Sequence, residues 1–107
     1  MRPSAGPIDV FHAISDPNRR RLIDLLATGE KPVQELAGDF DITLAAVSQH
    51  LGVLRQAGLV TSRPQGRQRL YKLQPAGLQV VDDWTAHYRG FWKSRLKGLR
   101  TVLDNKP

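Results

Sequence analysis

Four residues in the middle of the chain, Thr43, Ala45, Ser48 and Gln49, are of the types and spacing that can read a duplex if a helix carries them. A glutamine can make a bidentate contact to adenine, and a serine can pair with several bases or with a phosphate. Small neighbours such as Ala45 and Gly52 let a backbone come close to base edges. A threonine at the helix N-terminus sits where hydroxyl and free N–H groups favour phosphate. The plainer reading of the same pattern is an amphipathic helix with a small polar face. A second group, Arg63, Arg67 and Arg69, surrounds Gly66. Arginines at a hairpin tip can follow phosphates or enter a narrow minor groove. They can also simply blunt an exposed edge strand. Arg67, nearest the tip, is the best placed of the three, whereas Arg69 is also compatible with packing along the sheet.

Charge separates these readings. The 107-residue chain carries a net charge of +6. Between Asp41 and Asp82 there is no Asp or Glu, while the same stretch holds Arg55, Arg63, Arg67, Arg69 and Lys72. A face that must approach phosphates excludes carboxylates for a Coulombic reason. The basic run Arg19-Arg20-Arg21 is different, because consecutive helical residues point in different directions. It reads as structural salt bridges and a solvated face. His50 flanks the apolar side of the same helix as Gln49, and either touches phosphate or takes a hydrogen-bonded place at the core margin. His12 reads as structural.

Other chemistries find no support. The chain has no cysteine, which excludes disulfides, thiolate metal sites and cysteine nucleophiles. There is no Walker-type loop, no glycine-rich dinucleotide fingerprint, no supported Ser/His/Asp arrangement and no paired carboxylates with a shared context. An enzyme is therefore not expected. No cofactor and no metal are expected either. Asp83 and His87, four residues apart, read as a structural hydrogen bond or ion pair.

The elements that must position these residues follow from periodicity and caps. Ile8–Ile14 is a short apolar helix. Asp16 caps and Pro17 opens a second helix, Asn18–Thr28, which Gly29 ends. Pro32 opens a third helix through Phe40. After the break Asp41-Ile42-Thr43, with Thr43 as N-cap, Leu44–Ala57 is a strong helix with Val47, Leu51 and Leu54 on its apolar face. Gly58 supplies its left-handed stop. Two helices joined by so short a break form a helix-turn-helix candidate. Leu59–Arg63 and Gln68–Leu73 are strands around the turn Pro64-Gln65-Gly66-Arg67. Pro75 opens the last helix, 76–103. The expected fold is mainly α with a small β-hairpin, a winged helix-turn-helix. One domain, 8–103, is expected between a lead-in, 1–7, and a tail, 104–107.

The last helix carries both tryptophans, and Trp84, Tyr88, Phe91, Trp92 and Leu96 share its apolar stripe. That is more apolar surface than one terminal helix of a small domain needs, and such a patch marks an interface. Packing on a symmetry mate, with help from Phe11 and the first helix, would bury it as a homodimer. Two copies would reach half-sites about one helical turn apart. The alternative is that the helix folds back on its own core. No apolar run is long enough to span a bilayer, and Met1–Pro7 has no signal-peptide apolar region, so a cytoplasmic, non-membrane protein is expected.

The stretches SDPNRRRLIDLL, VSQHLGVLRQAGLV and GRQRLYKL, in this order over residues 8–73, resemble the ArsR family of winged-helix repressors. The tail WTAHYRGFWKSRL looks like the branch whose last helix carries tryptophans and which often lacks metal sites. The resemblance implies the order helix-helix-helix-helix-strand-strand-helix, a homodimer through the terminal helices, and binding to imperfect palindromes near promoters. It places Ala45, Ser48 and Gln49 at base-reading positions and Arg67 at the wing tip. The family's metal motifs are not matched. Glu35-Leu36 is followed by Ala37-Gly38-Asp39 rather than by a thiol, and no second histidine follows His87. The expectation is a metal-independent repressor of double-stranded DNA. Alternatives are a repressor released by a small molecule or metal, and a protein-interaction module that keeps the fold without binding DNA.

Overall fold

The computed structural model describes residues 9–104. The lead-in 1–7, Ile8 of the expected first helix, and the last three residues of the tail lie outside the described residues. Helix α1 (Val10–Ala13) is followed by α2 (Pro17–Leu26), a short strand β1 (Lys31–Pro32), α3 (Val33–Ala37) and α4 (Leu44–Gln56). The hairpin β2 (Val60–Gln65) and β3 (Gln68–Leu73) comes next. A 3-10 turn at Pro75–Leu78 then leads into α5 (Gln79–Ala86) and α6 (Arg89–Asp104).

Local chemistry sets most of these boundaries. The Asp16 carboxylate accepts from the Arg19 N–H at 3.1 Å and caps α2, with Pro17 at its first position. Thr43 Oγ1 accepts from the Ala46 N–H at 3.0 Å and caps α4. At the other end of α4, Gly58 takes a φ of 80°. That lets the Leu59 N–H reach Leu54 O at 2.9 Å and the Gly58 N–H reach Arg55 O at 3.0 Å. This pair of bonds is a Schellman stop, and its apolar partners Leu54 and Leu59 are both fully buried.

One core sits beneath α4. Val47, Leu51 and Leu54 from α4 meet Leu22, Ile23 and Leu26 from α2, with Leu36 and Val60 closing the sides. The sheet runs β1-β3-β2, all antiparallel. Strand β1 was not expected: at two residues it carries no periodicity, and it exists only because Lys31 and Pro32 pair with Tyr71 and Leu70 of β3.

Helices α1 and α2 end earlier than expected, at Ala13 rather than Ile14 and at Leu26 rather than Thr28, and three further boundaries move. Helix α3 stops at Ala37 rather than Phe40, because Gly38 is a poor helix former and the chain turns there through Asp39 N–H to Leu36 O and Phe40 N–H to Ala37 O. The Phe40 ring is left partly buried against the core, with the Arg21 guanidinium 5.4 Å from its centroid. The hairpin turn is tighter than Pro64–Arg67. Both strands run up to a two-residue loop, Gly66-Arg67, with φ of 64° at Gly66 alone; a glycine at the first central position is the type II′ signature. Pro64 is tolerated because β2 is an edge strand.

The third change is the largest. The expected single helix 76–103 is divided. Its first turn is 3-10, and the α-helical ladder breaks at His87 and Tyr88, whose N–H groups bond back three residues to Trp84 O and Thr85 O. Arg89 Nη2 bridges the break to Asp82 Oδ1 at 2.6 Å. The chain's Cα radius of gyration is 18.3 Å, against about 13 Å for a compact 100-residue domain. The terminal helices account for that excess, since the core lies under α4 and Phe91, Leu96 and Leu99 of α6 are exposed.

Candidate nucleic-acid interface

Burial of Val47, Leu51 and Leu54 fixes the rotation of α4, so its other side must face outward. Thr43, Ala45, Ser48 and Gln49 are all exposed there, and Gly52 is half-buried one turn on. The expected reading residues are thus brought onto one face at the leading end of the helix. In a helix-turn-helix the second helix enters the major groove with its N-terminal residues first.

A cluster missed by sequence reasoning holds α4 in place. Arg19 is only 9% exposed. Its Nε donates to Ala13 O at 2.7 Å and its Nη2 to His12 O at 3.2 Å. Arg20 Nη1 donates to Ile14 O at 2.7 Å. Ala13 O and Ile14 O are carbonyls that the end of α1 leaves without helical partners, whereas His12 O also accepts from the Ser15 N–H at 3.1 Å and Ser15 Oγ at 2.6 Å; cationic donors suit the negative end of the helix dipole. The basic run is structural, as expected, but its first two members pair with backbone carbonyls rather than carboxylates. Arg19 Nη1 also lies 3.2 Å from His50 Nδ1. A guanidinium has only donors, so Nδ1 accepts and the imidazole hydrogen is on Nε2, which lies 4.0 Å from Asp16 Oδ2. His50 therefore takes the core-margin place, tying α4 to the start of α2.

The hairpin separates the three wing arginines. Cross-strand partners share a face. Ser62, Tyr71, Pro64 and Arg69 lie on one side, and Thr61, Lys72, Arg63 and Leu70 on the other. Arg67 occupies the tip, exposed, and no carboxylate engages it among the described residues. Arg69 packs along the sheet, its Nη2 donating to Ser62 Oγ at 3.0 Å. Arg63 is engaged by a carboxylate from outside the acid-free run: Nε and Nη2 donate to the two oxygens of Glu30 at 2.9 and 3.0 Å. The Arg63 hydrogen bond holds the Glu30 carboxyl below its usual range, with the charges of Arg63 and Lys72 adding to the effect, and Arg63 is raised in turn. This pairing spans 33 positions, and no local pattern signals it.

The second surface is apolar. Phe11 of α1 meets Trp84 edge-on at 5.6 Å. Trp84 continues to Tyr88 at 5.8 Å, and Tyr88 to Phe91 at 6.1 Å. Trp84 is 53% exposed and Phe91 68%, with Tyr88, Trp92, Leu96 and Leu99 also exposed. All six residues expected at an interface are thus exposed in the single chain, and four of them form a continuous aromatic ladder. Asp83 does not meet His87: it accepts from Gln79 Nε2 at 3.1 Å, and His87 Nδ1 lies 3.2 Å from Trp84 O. Among the described residues no three His, Asp or Glu side chains gather where a metal could be held. None of the described helices is long and apolar enough to cross a membrane.

A capped helix-turn-helix backed by a three-stranded sheet with an arginine-tipped hairpin defines a winged helix-turn-helix protein. Residues 16–62 match the model of the arsR family of bacterial regulatory proteins. The chain is 38% identical over 106 residues to the HTH-type transcriptional regulator Rv2034 of Mycobacterium tuberculosis, covering 99% of this chain and 96% of that one. It is 35% identical over 80 residues to the transcriptional repressor SdpR of Bacillus subtilis, covering 75% of this chain and 89% of that one. The crystal structure of a possible transcriptional regulator for arsenical resistance matches with a TM-score of 0.65 and 43% identity, over 89% of this chain and 94% of that one. The chain belongs to the arsR family, and it is a transcriptional regulator, not an enzyme.

Proposed function

We propose that this regulator is a cytoplasmic homodimeric repressor that binds double-stranded operator DNA at an imperfect palindrome and does so without a metal. The observation that carries the reading is the exposed polar face of α4, with Thr43, Ala45, Ser48 and Gln49 outward on a capped, core-anchored helix inside the acid-free run. Gln49 and Ser48 read base edges. Thr43 and Arg67 contact phosphate, and Arg69 follows the backbone from the other side of the wing. Arg63, held by Glu30, contributes mainly by fixing the base of the wing, and reaches phosphate only by exchanging that partner.

The dimer reading rests on the aromatic ladder. A contiguous apolar face with Phe11, Trp84, Tyr88, Phe91, Trp92 and Leu96 exposed is more than a soluble monomer tolerates. A second copy seated on it would present two α4 helices to successive major grooves, about 34–36 Å apart. Metal independence rests on the absence of cysteine and on the internal partners of Asp83 and His87. A ligand-released repressor is the second reading. A half-open apolar groove lined by Trp84, Thr85, Tyr88 and Trp92 favours it, as does the structural neighbour described for arsenical resistance.

The test is binding of the purified protein to its own promoter region and to scrambled DNA, across a salt series, with and without EDTA. Selective binding with a steep salt slope, unchanged by chelator, is the expected result. Arg67→Ala is expected to reduce the salt slope by about 1 per half-site, and so by about 2 on the full operator. Binding altered by chelator would transfer the function to the metal-responsive reading, and equal binding to both DNAs would remove sequence-specific recognition.

A further inference from the structure

Among the described residues, the exposed large apolar side chains fall into two places. Phe11, Val80, Trp84, Tyr88, Phe91, Trp92, Leu96 and Leu99 lie on α1, α5, α6 and the break between α5 and α6. The one exception is Leu44, 48% exposed at the first position of α4. It is not among the residues that pack on the core, although its neighbours Ile42 and Val47 are. Leu44 lies one turn before Ser48 on the same side of the helix, next to exposed Ala45. Water gains nothing from a leucine here, and the core does not take it. In the major groove, however, there is one apolar feature to receive it: the C5-methyl group that distinguishes thymine.

We propose that Leu44 is a specificity-determining residue that reads a thymine methyl in each half-site. The inference rests on the DNA-binding reading above and adds a base identity to it. Leu44 continues the apolar stripe of Val47 and Leu51 beyond the edge of the core, and its leading position, exposure and apolar character together fit that partner. A phosphate contact does not suit a leucine, and hydrogen-bonded base edges would be left unpaired against it. Together with Gln49, which suits adenine and lies farther round the helix, α4 reads an A·T-containing half-site: Leu44 takes a methyl and Gln49 takes the adenine edge.

The test uses the full chain and the duplex it selects most tightly from a random pool. Each thymine is replaced singly by deoxyuridine, which removes only the methyl group. Wild-type protein is expected to lose about three- to five-fold in affinity at one position per half-site, the worth of one buried methyl. Leu44→Ala is expected to bind more weakly and to be indifferent to the same replacement, whereas Leu44→Met keeps the sensitivity. Leu44 is exposed, so both variants should melt near wild type, and circular dichroism checks this. If no thymine is methyl-sensitive, or if Leu44→Ala remains sensitive at that position, Leu44 does not read a methyl, even though selection of a sequence stands. If no sequence is enriched from the pool, the DNA-binding reading itself fails and takes this inference with it.

Discussion

Replacing Arg19 by methionine tests whether a buried guanidinium organises the domain. Methionine keeps the length of the side chain and removes its five donors. Ala13 is fully buried, so its carbonyl, which takes Arg19 Nε at 2.7 Å, would be left without a partner. An orphaned buried acceptor costs about 1–3 kcal/mol. His12 is exposed, and its carbonyl keeps the Ser15 N–H and Ser15 Oγ as donors, so losing Arg19 Nη2 there costs little. Loss of the contact to half-buried His50 adds about 1 kcal/mol, and the easier burial of methionine returns part of the total. The net expectation is a loss of about 2–3 kcal/mol, or roughly 10–20 °C in a domain of this size. Urea denaturation followed by circular dichroism measures it, at one protein concentration so that any self-association is held constant. Arg20→Met is the control, because Arg20 is exposed and makes one bond, to Ile14 O; it should cost under about 1 kcal/mol. Arg19→Lys should not rescue, since one ammonium cannot supply a fork to three acceptors. An Arg19→Met protein as stable as Arg20→Met would refute the argument.

Glu30 should titrate below the ordinary carboxylate range by NMR and move up towards it in Arg63→Gln, because Arg63 causes the depression. Since the folded carboxyl is the depressed one, the pair contributes fully above the unfolded titration and its contribution is lost as pH falls through the folded one; an unmoved midpoint would rule the pairing out in solution. Gly77→Ala should destabilise by about 1–3 kcal/mol, since its Cβ would sit 2.5 Å from Gly58 O and 3.1 Å from Leu59 Cδ2. Gly90→Ala, with open space around it, should instead stabilise α6 by up to about 1 kcal/mol, and melting curves of the two must move in opposite directions. Gly52→Ala, also in open space on α4, should gain about 0.8–1 kcal/mol in stability yet bind DNA more weakly; unchanged DNA affinity would show that the helix backbone does not approach the groove there.

What was legible in the sequence was local. Asp16, Thr43, Gly58 and Gly66 each act within four residues of themselves, and each does in the structure what its type suggests. The apolar face of α4 was legible for a related reason, as three buried residues at helical spacing fix a rotation and hence the opposite face. Features joined across the chain were not. Lys31–Pro32 is a strand only because β3 passes beside it. Arg63 looked free because Glu30 lies 33 residues away, and His50 looked ambiguous because its partner lies 31 residues away. The break at His87 was hidden for a different reason. No proline marks it, and Gly90 comes two residues after Tyr88, so the apolar stripe runs on across an interrupted ladder.

These non-local contacts converge on α4. Its start is capped by Thr43, its middle is tied through His50 to Arg19 and so to the end of α1, and its stop is held against the chain that leads into α5. At that last place Gly77 approaches Gly58 so closely that no side chain fits between them, and the Gln74 N–H donates to Leu59 O at 2.7 Å. The first two rungs of the aromatic ladder therefore connect to α4: Phe11 through α1 and Arg19, and Trp84 through the 3-10 turn at Pro75–Leu78. If a second copy seats on that ladder, the angle it imposes on α1 and α5 is transmitted to α4 through the buried Arg19 on one side and the close Gly77–Gly58 approach on the other. The spacing of the two reading faces then depends on Arg19 and Gly77 as much as on the aromatic residues themselves. Weakening either contact should impair binding to a two-half-site operator more than binding to an isolated half-site.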